Sequence, residues 1–95
     1  MANLNKVFTA LSDDTRRKML VLLKKGSMSA GEIANHFDIS KPSITFHLKI
    51  LKEAELVHSK KQGQFVIYTL QVTVFEEAMM LFMGMLKTGE KENEK

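Results

Sequence analysis

A mainly α-helical fold with one small β-hairpin, of the α+β kind, is predicted from three features of the chain. Apolar residues recur at helical spacing in five stretches, four before residue 54 and one after residue 72. Residues 56–70 are instead rich in β-branched and aromatic side chains and are interrupted once, at Gly63. Residues 40–53 carry their apolar side chains on one helical face and short polar or cationic ones on the other. The predicted order of elements is α-α-α-α-β-β-α.

Ninety-five residues make one domain, with a core too modest to leave much room for a catalytic pocket. The net charge of +3 is unevenly spread. Residues 1–70 hold eleven Lys/Arg against six Asp/Glu (+5), whereas residues 71–95 hold three against five (−2). A basic body suggests a polyanionic partner. There is no cysteine, which excludes disulfides, thiolate metal sites and thiol redox sensing. The start, Met-Ala-Asn-Leu-Asn-Lys, lacks the apolar core of a signal peptide. No run of about 18 apolar residues is present, so a cytoplasmic chain without membrane insertion is expected.

Leu4, Val7, Phe8 and Leu11 recur at spacings of three and four and predict a short helix, which needs packing to hold it. Asp13 suits the N-cap of a second helix over residues 16–25, with Asp14 where the helix dipole favours negative charge. That helix is built around Met19, Leu20, Leu22 and Leu23, and Gly26 is expected at its C′ position. Arg16, Arg17 and Lys18 either touch phosphate or form a solvated face with local ion pairs. Ser29-Ala30-Gly31-Glu32 has the spacing of a capping box and opens a third helix that runs to about His36.

Residues 40–53 follow after a short break. Ser40 is a good N-cap, and Pro42 falls in the first turn, where a missing N–H costs nothing. Ile44, Leu48 and Leu51 share one face with His47 on its border, while Lys41, Ser43, Thr45, Phe46 and Lys49 lie off it. Alone, this is either an amphipathic surface helix or a helix shaped for a DNA major groove. Together with the capped helix before it, it makes a helix-turn-helix. Residues 56–60 and 64–70 then form a hairpin around Lys61-Gln62-Gly63, with Gly63 available for positive φ. Lys60, Lys61, Gln62 and Gln64 give it a cationic, amide-rich tip that suits phosphates or a minor groove. A helix-turn-helix followed by a basic hairpin is a winged helix-turn-helix.

The last helix, from residue 73 to about 88, is over-apolar. Val74, Phe75, Ala78, Met79, Leu81, Phe82, Met83, Met85 and Leu86 cover an arc of roughly 200°. One core needs a stripe of only about 100°. The surplus is expected to meet the same helix of a second subunit, assisted by the first helix. The expected dimer interface is Leu4, Val7, Phe8, Leu11, Val74, Phe75, Ala78, Met79, Leu81, Phe82, Met85 and Leu86. Residues 1–88 are read as one DNA-binding and dimerisation domain, and residues 89–95 as a disordered polar tail.

Three segments carry a family resemblance: Leu11-Ser12-Asp13-Asp14-Thr15-Arg16-Arg17-Lys18-Met19-Leu20, residues 39–51 from Ile39-Ser40-Lys41-Pro42 to Leu51, and Lys61-Gln62-Gly63-Gln64-Phe65-Val66-Ile67-Tyr68-Thr69-Leu70. In that order, over roughly residues 4–86, the chain resembles the ArsR family of bacterial winged-helix repressors, and within it the metal-independent SdpR-type autorepressors. The resemblance implies a homodimer joined through first and last helices, bound to an inverted-repeat operator of double-stranded DNA and blocking transcription. It also implies base contacts through Lys41, Ser43, Thr45 and Phe46. The full expected DNA-contacting set adds Ser40, His47, Lys49, Lys60, Lys61, Gln62, Gly63 and Gln64. The chain departs from the family at Asp14, where proline is frequent, and at Phe46, a position commonly polar in relatives. The Phe46 ring either packs on a thymine methyl or packs on the hairpin.

No metal, cofactor or catalytic residue is expected. The family's metal sensors use cysteines or histidines that this chain lacks in the matching places. His36, His47 and His58 lie on three different elements. Met79, Met80, Met83 and Met85 suit interface packing better than soft copper binding. No nucleophile-and-base pair or phosphate-cradling glycine loop is present. The competing reading is a winged-helix protein-interaction module, or a regulator with weak DNA binding controlled by an unidentified regulatory protein. The operator sequence, the regulated genes and the signal that relieves repression are not encoded legibly.

Overall fold

Capping decides where most of the helices begin. In the computed structural model, which describes residues 2–94 and the side chains of residues 2–87, α1 (Leu4–Leu11) starts where the Asn3 side chain accepts the Lys6 N–H at 3.1 Å. The Asp13 carboxylate caps α2 (Asp14–Leu23) by accepting the Arg16 N–H at 3.1 Å. Ser29 and Glu32 form the reciprocal capping box of α3 (Ala30–Ala34), with bonds of 3.1 and 2.9 Å. Ser40 caps α4 (Lys41–Glu53), with Pro42 in its first turn.

The hairpin is tighter than the sequence suggests. Strands β2 (Val57–Gln62) and β3 (Phe65–Leu70) pair antiparallel from Val57↔Leu70 to Gln62↔Phe65, so only Gly63 and Gln64 form the turn. Gly63 takes φ +60, as the first position of such a two-residue loop demands. The expected order also omitted a strand. Met28–Ser29 forms β1, which pairs with Tyr68 and Ile67 of β3 and gives a three-stranded sheet in the order β1-β3-β2. A two-residue strand has no periodicity to read, and its pairing is set by where the capping box anchors Ser29.

α2 ends two residues earlier than predicted. Lys24 is its C-cap, and the positive φ of Gly26 lies two residues beyond. At the end of α4, Glu55 adopts φ 61, and the Leu56 N–H reaches the Leu51 carbonyl at 3.1 Å while the Glu55 N–H reaches Lys52 at 2.9 Å. This is a Schellman ending, closed by the burial of both Leu51 and Leu56, but with Glu in the place usually held by Gly.

The core lies between the sheet and the helices. Val7, Met19, Ile33, Leu48, Leu51, Leu56 and Val57 are its large, fully buried side chains, and α1 packs on α2, α4 and α5. Helix α5 (Val72–Glu94) runs past residue 88, where the sequence places its end. The tail expected at 89–95 falls on residues whose side chains lie outside those described.

Two expected interface residues are corrected. Val7 and Ala78 are fully buried within the single chain, so they seat α1 and α5 on their own domain and present nothing to a second subunit. Val74 and Met79 are half-buried against the same core, as are Leu4 and Leu11. The rest of the expected set stays open: Phe8, Phe75, Leu81, Phe82, Met85 and Leu86 are all exposed.

Candidate nucleic-acid interface

Because Ile44, Leu48 and Leu51 are buried, the opposite face of α4 must look outward. Lys41, Thr45, Phe46 and Lys49 are exposed there. Ser40 does two jobs at the helix start. Its oxygen accepts the Ser43 N–H at 3.3 Å, and its hydroxyl donates to the Ser43 oxygen at 3.0 Å. Ser43 is half-buried, and its own hydroxyl proton is left to donate outward.

The wing adds the second cationic surface. Lys60, Lys61, Gln62, Gly63 and Gln64 are all exposed. Among the described residues, none of Lys41, Lys49, Lys60 and Lys61 makes an ion pair. Exposed lysines attract a polyanion and hold phosphates, while the outward face of α4 offers hydroxyls and one aromatic ring.

Phe46 is 58% exposed and touches the His47 ring edge-on, with centroids 5.6 Å apart. That exposure leaves most of the ring open to a partner. The sequence did not single out Phe65 and Val66, which are also exposed, Phe65 by 62%. The run Phe65-Val66-Ile67-Tyr68 is apolar throughout, so alternation could not say which residues face out.

His47 differs from the other expected contacts of α4. Its side chain is only 15% exposed and is turned toward α2, where its Nδ1 lies 3.0 Å from an Arg16 guanidinium nitrogen and 3.9 Å from the Asp13 carboxylate. Arg16 is itself 7% exposed, which removes it from the candidates for phosphate contact. Its other bonds go to the Ala10 carbonyl (Nε, 2.9 Å) and the Thr9 carbonyl (3.1 Å). Arg17 and Lys18 take the other course that the sequence left open, forming exposed ion pairs with Asp14 at 3.6 and 3.0 Å. The Asp13 carboxyl is held below its ordinary range, first by the Arg16 backbone N–H that it caps and then by the nearby Arg16 charge.

His36, His47 and His58 lie after α3, on α4 and on β2 respectively. Among the described residues no three His, Cys, Asp or Glu side chains cluster to hold a metal, and no helix is long and apolar enough to cross a membrane.

Comparison with known proteins gives a consistent result. The family described as "Bacterial regulatory protein, arsR family" matches residues 13–59, from the α2 cap into β2. The transcriptional repressor SdpR of Bacillus subtilis is 48% identical over 94% of this chain and 99% of its own length. An ArsR-like transcriptional regulator from Rhodococcus sp. RHA1 superposes with a TM-score of 0.85 at 28% identity, covering 94% of this chain and 84% of that one. The homodimeric winged helix-turn-helix DNA-binding domain of Mycobacterium bovis Mb0332 shares the fold with a TM-score of 0.68 at 23% identity, over 92% and 78% of the two chains. With α3 and α4 forming a helix-turn-helix, β2 and β3 a wing, and a relative so similar along nearly its whole length, the chain belongs to the ArsR family of bacterial DNA-binding transcriptional regulators.

Proposed function

We propose that the chain is a homodimeric repressor that binds an inverted-repeat operator, acts on its own promoter in the cytoplasm, and does so without sensing metal. The observation that carries this reading is the two-faced α4, whose side chains Ile44, Leu48 and Leu51 are buried while Lys41, Thr45, Phe46 and Lys49 stand exposed, as do Lys60 and Lys61 of the wing. Ser40, Ser43 and the wing residues Gln62, Gly63 and Gln64 complete the contact surface. SdpR, the repressor so similar to this chain, supports the sign of regulation.

The dimer is supported by surplus apolar surface. Phe8 and Phe82 meet edge to face at 5.4 Å, joining α1 to α5, yet both rings remain more than a third exposed. Phe75, Leu81, Met85 and Leu86 extend the same apolar surface along α5. A homodimer pairing these helices would remove them from water and place two α4 helices for half-sites about one helical turn apart, or a multiple of it.

The absence of cysteine and the separation of the three histidines support metal independence. Footprinting on the chain's own promoter tests the reading, with binding followed against salt. About four cationic contacts per subunit predict a slope of log K on log salt near −7. That slope should be the same with zinc, copper or nickel added. A slope near zero would favour the protein-interaction module instead.

A further inference from the structure

Arg16 is a buried cation with no carboxylate in ion-pair contact among the described residues. Its bonds show what holds it. The last carbonyls of a helix have no partner within that helix, and α1 ends without a basic residue in its final turn. The Arg16 guanidinium supplies donors from outside, giving Nε to the Ala10 carbonyl and one terminal nitrogen to the Thr9 carbonyl, which also accepts the Ser12 N–H and hydroxyl. A cation at a helix C-terminus is also where the backbone dipole favours it. The remaining terminal nitrogen reaches across to His47 on α4. One planar, rigid fork on α2 thus closes α1 and grips the reading helix.

A guanidinium only donates, so the contact is a hydrogen bond when His47 Nδ1 is the accepting nitrogen. Asp13, 3.9 Å from the same Nδ1 and itself bound to the Arg16 backbone, faces this junction from the start of α2. On their outer side α1 and α4 part to leave an open groove lined by Asn5, Lys6, Thr9, Ile50 and Glu53. The Arg16–His47 bond ties α4 to α2, and the bonds of the same guanidinium to the Ala10 and Thr9 carbonyls tie α2 to the end of α1.

We propose that Arg16 and His47 are a positioning pair that sets the orientation in which α4 is offered to DNA, keyed to the seat of α1. Neither touches DNA. His47 adjoins Phe46, and Arg16 ties it to the end of the helix whose Phe8 ring lies in the proposed dimer surface. The inference rests on the DNA-reading role of α4 proposed above.

The test uses full-length dimeric protein and the duplex that the wild-type chain selects from a random library, with bulk genomic DNA as the non-specific probe. His47→Leu keeps volume but removes the acceptor, whereas His47→Asn returns an oxygen close to the position of Nδ1. Losing a hydrogen bond to a charged donor should weaken binding to the selected duplex by about tenfold or more for Leu. Binding to bulk DNA should stay within about twofold, since the phosphate contacts are unchanged. Asn should recover most of the loss, and both variants should still unfold cooperatively. Equal affinity of Leu and Asn for the selected duplex, or equal loss on selected and bulk DNA, overturns the pair. A wild-type chain that selects no sequence overturns the DNA-reading role itself, and the pair with it.

Discussion

Helices α4 and α5 are both amphipathic, but they settle their surfaces in opposite ways. In α4 the apolar side chains Ile44, Leu48 and Leu51 are all buried, and most of what remains outside is polar or cationic. Among the described residues of α5 only Ala78 is fully buried, while Phe75, Leu81, Phe82, Met83, Met85 and Leu86 are exposed. One helix has completed its core and keeps a surplus of charge; the other keeps a surplus of apolar surface. Each surplus names the chemistry of what would cover it, a polyanion in the first case and a second apolar face in the second.

That contrast can be attacked from the α5 side first. Met85→Glu places a charge in the proposed dimer surface and should weaken self-association by on the order of 10³-fold, read by sedimentation equilibrium. The monomer should remain folded, because Met85 is exposed in the single chain. An unchanged dimer would remove α5 from the interface. On the α4 side, Phe46→Ala should weaken binding to the operator by about tenfold and to bulk DNA hardly at all, if the ring lies on a thymine methyl. Lys49→Ala should act on both DNAs alike and flatten the salt slope by about 2, one phosphate contact in each of two subunits. A change confined to the operator would make Lys49 a base reader instead.

Smaller effects probe the frame that holds α4. Asp13→Ala removes the α2 cap and should cost about 1 kcal/mol in chemical denaturation. The depressed Asp13 carboxyl adds a pH signature. Its contribution is present above the ordinary value of 3.8 and is lost as pH falls below that, through its folded value. The wild-type chain should therefore lose part of its stability in that acid range, and Asp13→Ala should lose less. Glu55→Gly should move stability the other way, raising it by about 0.5 kcal/mol, because the left-handed φ of 61 strains any residue with a Cβ.

The sequence made the helix boundaries legible wherever a capping residue met an apolar repeat, as at Asp13, the Ser29–Glu32 box and Ser40. It also showed the inward face of α4, since Ile44, Leu48 and Leu51 follow a helical period. Three things escaped it. β1 is too short to carry a period and exists only because β3 is there to pair with it. Arg16 lies in a cationic run with Arg17 and Lys18, and nothing local separates the buried one from its two exposed neighbours; the acceptors that bury it belong to α1 and α4. Val7 and Ala78 sit on the apolar arcs of α1 and α5, but periodicity cannot divide such an arc between a chain's own core and another chain's. For His47, a border position on the helical wheel left open which way the ring turns, and Arg16 decided it.

The open apolar face of α5 has a consequence for control. If only the paired chain reads the operator, occupancy at low abundance rises with the square of protomer concentration. A gene under such feedback is shut off sharply once the product passes the dimer's dissociation constant and reopens as growth dilutes it. In that arrangement the hydrophobic surface of one helix sets a threshold in chain number, and the circuit needs no small-molecule signal to have a switching point.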